Sequence, residues 1–200
     1  MKLSSHAFRF LLCLGLLGMP GMMLAQSSTQ SSGPYGSANA PSTQPGMNSN
    51  SNNLTAADKT FMHKAAEGGL AEVELGQLAT EKGSSAQVKQ FGQRMVNDHS
   101  KANDQLKQLA SNDGVTLPEH LSAKDKMLKE RLSKLSGPSF DAAYMNNMVK
   151  DHKQDVAEFA RESKSGSDNA AQFAKETLPT LKSHLQEAEK IAPELQASSK

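Results

Sequence analysis

From Leu54 onward the chain is cut into helix-length segments by capping residues, and no stretch of it alternates apolar with polar. Thr55-Ala-Ala-Asp58 opens a first segment, and Gly83 follows its end. Ser84-Ser-Ala-Gln87 is a capping-box pattern opening a second, which Asn112-Asp113-Gly114 closes. Ser122-Ala-Lys-Asp125 opens a third, shorter one that ends at Gly137-Pro138. Ser139 caps a fourth running to Ser165-Gly166, and Ser167 caps a fifth ending near Pro193. Val, Ile, Tyr and Phe are sparse, while Ala, Leu, Lys, Glu and Gln abound, so local propensity agrees with the punctuation. Pro179 lies inside the fifth segment and predicts a kink or break there, because proline removes a backbone donor. Long helices joined by loops of a few residues pack antiparallel. The stretch from Gly114 to Ser139 is long enough to cross a bundle. The expected fold over residues 54–197 is all-α: a ferritin-like four-helix bundle with one additional short crossover helix.

The N-terminal quarter is different in kind. Lys2 and Arg9 precede and enter an apolar run from Phe8 to Leu17, and Met23-Leu24-Ala25 before Gln26 has the form of a cleavage site. Residues 1–25 are therefore expected to be a secretory signal cleaved near Ala25, the alternative being an uncleaved anchor. The apolar run is short for a membrane span. Cys13 lies within that run, without the small residues that a lipoprotein signal places before its cysteine. Residues 26–53 are Ser, Asn, Gln, Gly and Pro with almost nothing to bury, the composition of a disordered linker.

Removal of the signal takes away the only cysteine and two of the 22 basic residues, leaving 20 basic against 21 acidic. Disulfides, thiol catalysis and thiolate metal sites are excluded for such a chain. A charge near zero, with no Lys/Arg cluster interleaved with aromatics, gives no case for nucleic acid. An envelope protein or a membrane surface remains the open class of partner. No Gly-rich phosphate loop, no HExxH and no Ser-His-Asp set is legible, so no catalytic residue is assigned and a non-catalytic protein is the expectation.

One word occurs twice. Met95-Val-Asn-Asp-His99 returns as Met148-Val-Lys-Asp-His152. Wound as a helix, the second segment puts Val88, Phe91, Met95, Ala102, Leu106 and Leu109 on one face, with His99 among them and Asp98 at its edge. The fourth does the same with Asp141, Tyr144, Met148 and Phe159, and His152 joins that face. Each copy turns a histidine inward. On the first segment His63, Glu67 and Glu74 lie near the face of Ala66 and Leu70. On the fifth, His184 borders the face of Leu181, Leu185 and Ala188. Glu72, Glu158, His120 and the charges from Lys124 to Lys134 fall on solvated faces. Two chemistries fit these groups. Glu67, Glu74, His99, His152 and His184 form a ligand set suited to Fe, Mn or Zn, whereas Met95 and Met148 beside the histidines suit Cu. The plainer alternative is that the histidines are core residues satisfied by backbone carbonyls or carboxylates.

The stretches FMHKAAEGGLAEVELGQLATEKGSSAQVKQFGQRMVNDHSKANDQLKQLA, FDAAYMNNMVKDHKQDVAEF and LPTLKSHLQEAEK resemble the exported bacterial domain of unknown function 4142, over essentially residues 55–192. The resemblance implies a ferritin-like helical fold and an extracytoplasmic place, in the periplasm or at the outer membrane. It implies no reaction. A di-iron site of that fold needs Glu-x-x-His on two helices. Here Val96, Val149 and Leu181 stand three residues before the histidines, so that ligand set is missing. The expectation is an exported metal-binding bundle in storage, buffering or stress protection. The competing expectation is an envelope interaction module whose repeated word is a packing element.

Overall fold

The structure, a computed structural model, describes residues 54–198; the signal and linker expectations for residues 1–53 fall outside the described residues. It contains five helices and no strand among those residues: α1 (Ala56–Lys82), α2 (Ala86–Asn112), α3 (Ala123–Ser133), α4 (Gly137–Ser165) and α5 (Asp168–Ser198). Among the described residues no helix is long and apolar enough to cross a membrane. α1 packs along α2 and α4 along α5, giving two hairpins. The hairpins meet through α1 against α4 and α2 against α5, while α3 packs on α1 and α4.

Two buried aspartates fasten the hairpins to each other. Asp141, just past the first turn of α4, accepts the Ser84 N–H at 2.9 Å, the Ser84 hydroxyl at 2.6 Å and the Ser85 N–H at 2.8 Å. It thereby closes the loop of the other hairpin. Asp58, in the first turn of α1, accepts the Ser167 N–H at 3.0 Å in the α4–α5 loop. Asp58 also completes a capping box with Thr55. Burial pushes its carboxyl up, but the hydrogen bonds from Ser167 and Thr55 outweigh this and hold it below the usual range.

Four details differ from the sequence expectation, the first being that α3 ends at Ser133 and does not reach Gly137-Pro138. α4 starts at Gly137, not after Ser139, because Gly137 takes a left-handed φ of 58° and Pro138 then serves in the first turn. Ser167 makes no side-chain cap; its hydroxyl is buried without a partner while its N–H goes to Asp58. α5 does not break at Pro179 or end at Pro193 but continues through both to Ser198. Both prolines face solvent, where water can reach the carbonyls they leave unpaired.

The interior is two apolar clusters with a polar layer between them. One cluster holds Leu75 of α1, Met95 of α2, Met148 of α4 and Ala188 of α5. The other holds Ala66, Leu106, Phe159 and Leu181 of the same helices. Between these levels each long helix contributes one buried polar residue: Glu72, His99, His152 and His184.

Candidate metal centre

His99, His152 and His184 are the groups that the three helices α2, α4 and α5 bring together. They are 7%, 0% and 0% exposed, and one ring nitrogen of each lies within 4.8 Å of the others. The ring centroids are 5.3–5.7 Å apart. Phe91, one cluster level above, sets its ring edge-on to His152 and His184 at 6.4 Å and closes the layer on that side.

The outer nitrogens are engaged. His184 Nε2 lies 2.8 Å from Asp98 Oδ2, so this nitrogen carries the proton and donates it. Asp98 is held in turn by Arg94, whose Nε is 3.3 Å away. Arg94 also reaches Glu187 at 2.5 Å and Ser183 at 3.0 Å on α5. His152 Nδ1 lies 3.1 Å from the Met148 carbonyl, an acceptor that places the proton there, with Glu72 Oε1 farther off at 3.6 Å. With the outer nitrogens protonated, the inner ones are bare. His152 Nε2 and His184 Nδ1 then face each other at 3.3 Å with two lone pairs and no proton between them. His99 Nε2 is buried beside them with no hydrogen-bond partner.

No extra proton fills this gap near neutral pH. Burial lowers all three imidazoles, and the neighbouring rings lower His99 and His152 further. His152 is brought to about 4, and His99 lies well below the ordinary value. For His184 burial prevails over the opposing hydrogen bond to Asp98. Two neutral imidazoles with facing lone pairs and outward N–H groups fixed by a carboxylate and a carbonyl, beside a third neutral imidazole, are the form in which histidine binds a metal ion.

The carboxylates are placed differently from the sequence expectation. Glu67 is half-exposed, 4.0 Å from the exposed His63. Glu74 is half-exposed and paired with Lys129. Neither belongs to the histidine group. Glu72, assigned from sequence to a solvated face, is instead 2% exposed and stands in the polar layer with its Oε2 unpartnered. Burial and then the negative charges of Asp155, Asp151 and Asp125 push its carboxyl well above the usual range. The missed signal is the stripe Asp58, Met62, Gly69, Glu72, Gly76 and Ala79, which is buried throughout. Leu70, used to centre the face, lies about a third of a turn off that stripe and is only half-buried. Met95 and Met148 are fully buried in the cluster above the layer, one turn before their histidines. Tyr144, two turns before His152, has a buried hydroxyl without a partner.

A buried polar atom left unpaired costs ~1–3 kcal/mol, so Glu72 Oε2, His99 Nε2 and Tyr144 Oη together are an expensive group to keep in a helical core. Such a layer across a helical domain defines the class: an all-helical domain with a histidine-rich interior. The profile of the domain of unknown function DUF4142 matches residues 43–191. The chain belongs to the DUF4142 family. Among solved structures it resembles a DUF305 fragment from Deinococcus radiodurans with a TM-score of 0.62 and 13% identity, over 70% of this chain and 98% of that one. It also resembles a DUF305 protein from Streptomyces coelicolor, named as secreted, with a TM-score of 0.58 and 12% identity, over 70% and 94% of the two chains. At such identities the likeness is one of fold. Comparison with curated protein sequences finds no match.

Proposed function

We propose that this chain is an exported metal-binding protein, a four-helix bundle with α3 as its crossover helix, that holds one transition-metal ion through His99, His152 and His184. The observation that carries this is the facing pair of bare nitrogens, His152 Nε2 and His184 Nδ1 at 3.3 Å, beside the unpartnered His99 Nε2. Three neutral imidazoles without thiolate suit Cu, Zn, Fe or Mn in descending order of intrinsic affinity for such nitrogen donors. Asp98 and Glu72 act from outside the ligand shell, the first fixing the His184 ring and the second standing behind His152. Three donors leave further coordination positions to be filled from elsewhere, which fits storage, buffering or stress protection and assigns no reaction.

The packing alternative has one observation in its favour. In the other tautomer, His152 Nε2–H would donate to His184 Nδ1, and the pair would be an ordinary hydrogen bond. That tautomer sets a bare Nδ1 against the Met148 carbonyl at 3.1 Å, which is why it is the weaker reading. The metal content of protein purified from periplasm without chelator decides between them, measured beside a His99→Ala/His152→Ala variant. About one ion per chain, lost in the variant, is expected. Metal-free protein whose histidine 15N spectrum shows the Nε2–H tautomer at His152 would make the layer a packing device.

A further inference from the structure

The histidines are enclosed, so an ion must enter from one side, and the two sides differ in charge. A cleft of about 530 Å³ lies between α1, the start of α3 and α4. Its walls carry Glu67, Glu72, Asp125, Asp151, Asp155 and Glu158 against two lysines, Lys64 and Lys124. Lys64 is already paired with Glu158 at 2.8 Å. Burial first, then the charges of Asp151 and Glu158, raise Asp155 to about 7. The second, independent feature is Glu72. It lines the cleft, is 2% exposed, and keeps Oε2 without a partner while Oε1 stands 3.6 Å from His152. On the other side, the hollow beside Asp98 holds only Asp98 and Glu176 as acids, with Lys101, and Asp98 there is tied to Arg94.

We infer that the acidic cleft is the port of entry for a divalent cation, which its carboxylates collect and Glu72 passes inward to the histidine layer. The inference rests on the metal reading of the histidines and adds the route. The cleft carboxylates are not ligands of the final site: among the described residues only the three histidines converge closely enough to bind one ion together. Their work is to raise the local concentration of cations, an effect that shows in association rate and in its dependence on salt. Glu72 is a positioning residue at the inner end of the cleft.

The test uses Co²⁺ as probe, with the histidine-bound ion followed by its visible bands in stopped flow. In an Asp151→Asn/Asp155→Asn variant the association rate at low salt is expected to fall ~10-fold or more and to lose most of its salt dependence. The bands at saturation should stay as in the original chain. Lys124→Gln, at the mouth of the same cleft, is expected to raise the rate, and this converse variant keeps the test decisive if the aspartate variant folds poorly. Unchanged rates and salt slopes in both variants would overturn the route while leaving the histidine site standing. Absence of Co²⁺ bands in the original chain would overturn the metal reading, and the route with it.

Discussion

Asp98 illustrates how much of this centre is decided by single atoms. Its carboxylate fixes the His184 proton on Nε2 and so aims Nδ1 inward. Asp98→Asn is expected to lower metal affinity ~10–100-fold without unfolding the protein, as replacement of such outer partners does. Zinc or copper competition with a chelator of known strength would check it; an unchanged affinity would remove Asp98 from the centre. The lowered imidazoles give a second outcome. Protons compete for a ligand only near its folded-state pKa, so with His152 at about 4 the ion should stay bound well below pH 6.5, and release should centre below pH 5. Release already complete at pH 6 would contradict this. Asp155 has the opposite sign. Its carboxyl titrates at about 7 in the fold and from 3.8 when unfolded, so the folded form favours the proton. That contribution is full at low pH and is lost as pH rises through about 7. Asp155→Asn should therefore gain melting temperature relative to the original chain between pH 5 and pH 8. None of these roles except the inward turn of His99 and His152 was legible in the letters, since a tautomer depends on which group from another helix lies 3 Å away.

The repeated word belongs to α2 and α4, which sit in different hairpins and meet through their histidines across the interior. α1 and α2 cross so closely that no side chain fits at Gly76 and Gly92. A Cβ on Gly76 would come within 2.7 Å of the Gly92 carbonyl oxygen, and one on Gly92 within 2.8 Å of the Gly76 oxygen. Both contacts are to backbone, so the helices themselves must part. Gly76→Ala or Gly92→Ala is expected to cost ~1–3 kcal/mol in urea unfolding and to disturb the register between Glu72 and His99. Gly68→Ala, in the same helix but with open space around its Cβ position, is the control and should be neutral or slightly stabilising. Only the crossing of the two helices explains glycine at these positions.

For the molecule as a whole, a bound ion and folding stability are linked. Free Zn²⁺ or Cu²⁺ at 100 times its dissociation constant should stabilise the domain by ~2.7 kcal/mol, a rise of roughly 8 °C in melting temperature for a domain of this size. The His99→Ala/His152→Ala variant should show no such rise, as differential scanning calorimetry would reveal. By itself, the sequence determined the all-helical class, four of the five helix starts to within a residue, the family, and the inward turn of two histidines, because caps and periodicity are local properties of the chain. It did not determine that Glu72 rather than Glu67 or Glu74 enters the layer, nor that Asp58 and Asp141 tie each hairpin to the other. Nor did it show α5 running on past its prolines. Those outcomes depend on which face of each helix is covered by residues tens of positions away, and only the packing of the hairpins supplies that cover.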